Sequence, residues 1–247
     1  MRTVHMIWSR EVRAFVRAFS CGVSVAAFLA VAGWTFVMLM RRYEGSVLQV
    51  QTLWGLSVAP WLPLLSAVVT MRLFAEERAS GMIELLLAAP LRERDLVIGK
   101  FLSALTIIAV ALSVAVLVPA LVLPSLCPAV QGLVRASALA ATSFLLLAQA
   151  SAWCAVGTLI SVLFRNPAAA AVCAMVVCGG LPVASYAVVL AWMPSVRSGV
   201  AWMPLLAQVY DFSTGQFSTG VLILYGSITL FCLFACSKAL ACLRLRG

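Results

Sequence analysis

Ten of the twenty-five charged residues of this chain fall within one stretch, residues 72–100. Arg72, Arg78, Arg92, Arg94 and Lys100 stand there against Glu76, Glu77, Glu84, Glu93 and Asp95, so the charges cancel. A segment built to hold anionic lipid would be a basic cluster instead. Mixed charge around an apolar middle suits docking to a protein surface. That middle reads S-G-M-I-E-L-L-L-A-A-P over residues 80–90. Ser80 can cap a helix N-terminus, Glu84 falls near the first turn, and Pro90 ends it. The prediction is a helix of about two to three turns, too short to cross a bilayer and marginal in water unless it packs on something. Its own membrane helices are one support; a cytoplasmic partner is the other.

Other chemistry finds few candidates. A phosphate-binding loop needs G-x-x-x-x-G-K-[ST], yet Gly99-Lys100 is followed by Phe101, and Arg94 occupies the place of the first glycine. This chain is therefore not expected to bind ATP itself, and no cofactor is expected on it. His5 is the single histidine and lies near the start, so neither a Ser/His pair nor a His-bound metal is expected inside the membrane. The eight cysteines form no C-x-x-C pair and mostly lie in apolar runs, which reads as packing. Acids and bases at mid-depth, the usual relay of ion-coupled carriers, are absent from the apolar runs.

The elements that must position the charged stretch follow from composition. Hydrophobic residues make up 64% and charged residues 10% of the 247 positions, and the mean hydropathy is +1.10. A soluble domain carries about a quarter charged residues, so this chain needs lipid to cover it. The reading is a single all-α, polytopic membrane domain over 1–247. Six apolar runs reach the roughly twenty residues that a spanning helix needs: 21–40, 53–71, 101–123, 136–164, 168–190 and 221–243. Pro60 and Pro63 are expected to kink the second, and Pro182 the fifth. The basic start followed by Ala30-Val31-Ala32 imitates a cleavable leader, but the apolar run continues to Met40, so an uncleaved span is expected.

Thirteen of the seventeen lysines and arginines fall on one side if the N-terminus is inside, against four outside. The positive-inside rule then puts both termini in the cytoplasm. It also removes the nucleic-acid reading that a net charge of +9 invites, because the bases sit at the ends of apolar runs. Within residues 6–19, Arg10, Arg13 and Arg17 alternate with Ile7, Trp8, Phe15 and Phe19. This predicts a basic amphipathic helix lying on lipid at the inner surface. Trp192, Trp202, Tyr210 and Tyr225 flank the last external loop and are expected at the interface, and the loop is long enough for a short re-entrant or surface helix.

The run M-R-L-F-A-E-E-R-A-S-G-M-I-E-L-L-L over 71–87, with Pro90 and then Gly99-Lys100, resembles the signature of the ABC-2 type transporter permeases. That family is similar here to E-x-x-x-G-T-x-E-x-L-x-x-x-P leading to G-K. Met82 departs from the usual Thr. Residues 9–15 resemble the family's basic connecting helix. Residues 208–215 resemble its gliding-motility-associated branch, with Gln208 in place of a His. The resemblance implies a membrane subunit of the bacterial inner membrane that pairs with a second permease subunit, identical or different. It would receive force from a cytoplasmic ATPase. Glu76, Glu77, Gly81, Glu84, Leu85, Leu86 and Pro90 would form or brace the coupling helix between spans two and three. An exporter is the leading reading. A non-transporting anchor or regulatory subunit of an envelope or gliding machinery is the alternative, and the sequence does not choose a substrate.

Overall fold

The computed structural model describes residues 2–42, 50–82, 93–117, 120, 136–164, 166–180 and 204–244. Among them every regular element is helical. Helix α1 (Arg2–Arg17) is followed, after a one-residue break at Ala18, by α2 (Phe19–Arg42). Span two consists of α3 (Val50–Val58), α4 (Leu62–Thr70) and α5 (Arg72–Ala79). Then come α6 (Glu93–Leu117), α7 (Ala136–Leu163), α8 (Pro167–Ala174), α9 (Pro204–Thr214) and α10 (Thr219–Arg244). A π-helical turn, Met175–Gly180, extends α8.

Five helical stretches are long and apolar enough to cross a membrane: Phe19–Arg42, Val50–Ala79, Glu93–Leu117, Ala136–Leu163 and Thr219–Cys242. They overlie the expected spans one, two, three, four and six. For the fifth, Pro167–Gly180 forms a shorter apolar helix, and the remainder, with Pro182, lies outside the described residues.

The second span differs from a simple kinked helix. Its 30 residues, at 1.5 Å each, exceed the thickness of a hydrocarbon core. It breaks twice. Residues 59–61, around Pro60, form turns, while Pro63 sits in the first turn of α4, where its missing N–H costs no bond. The second break, at Met71, contains no proline, and its cause comes from another helix.

Helix α7 runs through the centre and packs against α4, α6, α9 and α10. Its approach to α4 depends on a missing side chain. A Cβ on Gly157 would lie 2.1 Å from Thr70 Oγ1. The interior hydroxyls mostly bond to their own helix: Ser66 Oγ donates to the Leu62 carbonyl (2.9 Å) and Thr70 Oγ1 to that of Ser66 (2.7 Å). Thr142 and Thr158 do the same, and Ser151 meets Thr229 across α7 and α10 at 3.2 Å. Hydroxyls satisfied in this way can lie against apolar neighbours and still let helices approach. Gln149 differs, 1% exposed with neither amide atom partnered among the described residues.

Helix α9 occupies part of the loop read as external, and it is inserted rather than superficial. Leu206, Val209, Phe212 and Ser213 are buried, and Ser213 Oγ lies 2.7 Å from Thr52 Oγ1 of α3. Tyr225 corrects an expectation. It is buried and its hydroxyl donates to Gln208 Oε1 at 2.6 Å, so it fastens α10 to α9 and is not an interfacial anchor. A ring with one polar tip can serve either end, and only the packing decides.

Candidate functional site

The charged stretch is not a loop at either end. Helix α5 carries span two onward to Ala79, and α6 begins at Glu93, eight residues before the expected start of span three. The two bracket a short connection over 80–92, of which residues 83–92, with Glu84, Leu85, Leu86 and Pro90, lie outside the described residues.

Ser80 closes α5: its backbone N–H and its hydroxyl both donate to the Glu76 carbonyl, at 3.0 and 2.9 Å, while the helix expected to follow it lies mostly outside the described residues. Gly81 follows with φ +71, the left-handed conformation that ends a helix and that a side chain disfavours. Glycine therefore lets the chain leave α5 and turn into the connecting segment.

Lys100 is the central residue and the least anticipated. Hydropathy makes it the last charge of a loop, but it lies in the second turn of α6 and is 1% exposed. Its Nζ donates to Glu77 Oε1 at 2.7 Å and to the Leu73 carbonyl at 2.6 Å. Glu11 Oε1 of α1 is 3.6 Å away, and the Phe74 ring centroid 5.0 Å. A buried ammonium is tolerated only when its protons are matched this fully. Arg10 reaches the outer side of the cluster, 3.0 Å from Glu11 Oε1 and 4.0 Å from Glu77 Oε1. Three helices, α1, α5 and α6, are thus held at one point.

Gly99 explains how α1 gets so close. A Cβ there would sit 2.8 Å from Ile7 Cγ2 and 3.4 Å from the Val4 carbonyl oxygen. The Gly-Lys pair therefore has two jobs at adjacent positions: glycine admits α1 against α6, and lysine binds α1 and α5. Of the other predicted residues, Glu76 is half-exposed and pairs with Arg72 at 3.2 Å. Arg13 donates to the Ser9 carbonyl at 3.1 Å, and Arg17 is exposed in the last turn of α1.

Ser161 of α7 causes the break at Met71. Its Oγ accepts the N–H groups of Phe74 and Ala75, each at 3.1 Å, and donates to the Met71 carbonyl at 3.1 Å. A hydroxyl inserted in the backbone ladder bends a helix and satisfies the freed donors. Arg78 adds a second tie, donating to the Val162 carbonyl at the end of α7. Ser161→Ala is expected to cost about 2 kcal/mol, because two buried N–H groups lose their acceptor. Denaturant unfolding of the full chain in detergent measures it. A loss no larger than that of Ser143→Ala, whose hydroxyl bonds only its own helix, would contradict this role.

At the same end Arg244, closing α10, pairs with Glu93, opening α6, at 2.7 Å. The contacts therefore gather α1, α5, the start of α6 and the ends of α7 and α10 at one end of the bundle.

The all-helical, apolar bundle of the described residues, with five helices long and apolar enough to cross a membrane, defines a multi-pass membrane protein. The family model described as ABC-2 family transporter protein matches residues 10–213, and the chain belongs to that family. It is a permease subunit of an ABC transporter, the membrane component of such a system. A comparison with curated proteins returns no match.

Proposed function

We propose that this permease is driven by a separate cytoplasmic ATPase, which carries ATP and Mg²⁺ and docks on the segment over residues 80–92. The observation that carries the reading is the Lys100–Glu77–Glu11 cluster, which joins both helices bracketing that segment to α1. A push on the segment reaches α5 and α6 at their ends. Because the cluster is buried and tightly bonded, the three helices respond as one body and not separately. The broken span two gives that body a place to bend, at Met71, where a side-chain hydroxyl replaces part of the backbone ladder.

In this reading Glu76, Glu77 and Gly81 brace the coupling element, and Glu84, Leu85, Leu86 and Pro90 form its docking face. The N-terminus and the C-terminus lie in the cytoplasm. Helix α1 rests on the inner leaflet of a bacterial inner membrane, with Arg10, Arg13 and Arg17 toward its headgroups. A second permease subunit completes the pathway, and transport is outward.

The test is copurification of the cognate ATPase with Glu84→Arg and Leu85→Asp variants of the full chain. Each is expected to reduce ATPase recovery at least about tenfold, since a reversed charge or a charge placed in an apolar contact costs more than about 1.4 kcal/mol. Recovery equal to that of the parent in both variants would show that the segment does not dock the motor.

A further inference from the structure

Gln149 stands at the middle of the 28-residue helix α7, buried, with neither amide atom partnered among the described residues. An amide left unmatched at mid-depth in a membrane is costly. Its place against span two follows from three contacts. A Cβ on Gly55 would lie 2.8 Å from Thr142 Cγ2, one on Gly157 would lie 2.1 Å from Thr70 Oγ1, and the Phe74 N–H donates to Ser161 Oγ. Each of these pairs is 87 positions apart, and they fall on both sides of the turns over residues 59–61. The same register sets Gln149 opposite Leu62, where α3 has broken off and α4 begins. Gln149 also shares a face of α7 with Thr142 and Gly157, about two turns to either side.

That break leaves polar groups of its own. Pro60 and Pro63 carry no N–H, so the carbonyls of Leu56 and Ala59, four residues before each, lose their helical donors. The two carbonyls between them are served. Thr35 Oγ1 donates to that of Ser57 at 3.2 Å, and the Trp61 N–H donates to that of Val58 at 3.2 Å. Leu56 and Ala59 are 3% and 0% exposed, closed to solvent. Span two thus holds two acceptors deprived of their donors, and the carboxamide opposite them carries two N–H donors.

We propose that Gln149 is a latch for the break in span two. In the arrangement seen here the amide and the carbonyls are apart. In a second arrangement α4 tilts about residues 59–61, and Gln149 Nε2 donates to the Leu56 and Ala59 carbonyls. The bonds gained offset the packing lost by tilting, which makes the break a two-state element. Because the amide is sealed inside the bundle, a neighbouring helix completes it and no ligand is required. Span two thereby has a second bending point, with a defined closed state, besides the one at Met71.

The latch is independent of the proposed docking of an ATPase, and its failure would leave that reading untouched. The full chain, labelled with ¹⁵N and purified in detergent, is followed by NMR relaxation dispersion, which reports exchange on the microsecond-to-millisecond scale. The Gln149 side-chain signal, assigned by its loss in Gln149→Met, is expected to exchange between two states. The backbone N–H groups of Leu62 and Leu65 should exchange at the same rate. Gln149→Met, which nearly keeps the volume, should lower the second state seen at Leu62 and Leu65 about tenfold, the worth of the lost hydrogen bonds. Pro60→Ala with Pro63→Ala returns donors to Leu56 and Ala59, and should lower it as much at the Gln149 amide. If the proline variant does not fold, Gln149→Met decides the question by itself. A single state in the parent chain, or exchange unchanged in either folded variant, would overturn the proposal. A lasting contact between the amide and water would overturn it as well, by assigning the place to a bound solvent molecule.

Discussion

Lys100→Met is expected to destabilise the full chain by about 3 kcal/mol. The change leaves the carboxylates of Glu11 and Glu77 facing a methionine. Both are partly reached by solvent, 14% and 15% exposed, so the penalty falls at the lower end for a broken buried pair. The bond to the Leu73 carbonyl and the contact with the Phe74 ring disappear as well. The double variant Lys100→Met with Glu77→Leu should recover about half of the loss, since an apolar pair of similar volume often replaces an ion pair at little net cost. Urea unfolding in detergent measures both. A single variant within about 0.5 kcal/mol of the parent would mean that the cluster is incidental. Under the proposed coupling, function separates from stability here: the recovered double variant should still bind an ATPase yet transport poorly, because an apolar contact slides where a matched ion pair holds register.

Gly157→Ala is the second large effect, about 2 kcal/mol, and comes from volume instead of charge. Its Cβ would meet Thr70 Oγ1 at 2.1 Å and Thr70 Cβ at 3.0 Å. The hydroxyl cannot swing aside cheaply, being bonded to the Ser66 carbonyl at 2.7 Å within a buried helix. α4 and α7 must therefore separate, and that separation also pulls on Ser161, one turn further along α7. Adding Thr70→Ala removes the closest atom and should restore most of the stability. The check is a double-mutant cycle by the same unfolding measurement. Costs that simply add would show that the two helices do not touch in this way.

The contrast between these two sites shows where sequence reasoning reaches and where it stops. The spans are legible because lipid imposes one dominant rule: a long apolar run must become a helix. The ends of α2, α7 and α10 thus fall within two residues of the expected spans. The end of α5 and the start of α6 do not obey it, because there polar residues continue a helix into water and hydropathy no longer marks its limit. Ser80 adds a role that hydropathy does not mark: with the left-handed Gly81 after it, it closes α5. Tyr225 and Lys100 share a third reason. Their long, two-natured side chains fit a membrane surface or a matched interior, and the partners that choose, Gln208 and Glu77, lie 17 and 23 residues away.

The charged stretch over residues 72–100 stands out from sequence alone, together with its place between two spans and its place in a transporter family. Those properties follow from composition and local order, which each segment carries by itself. Tertiary structure alone decided that the stretch is helical at both ends, that Lys100 binds α1 and α5 together, and that Ser161 breaks span two from outside it. It also placed the Gly99 and Gly157 contacts, where a helix is recognised only by the atom it leaves out. Such pairings join residues far apart in the chain, and their energy exists only once the helices are packed.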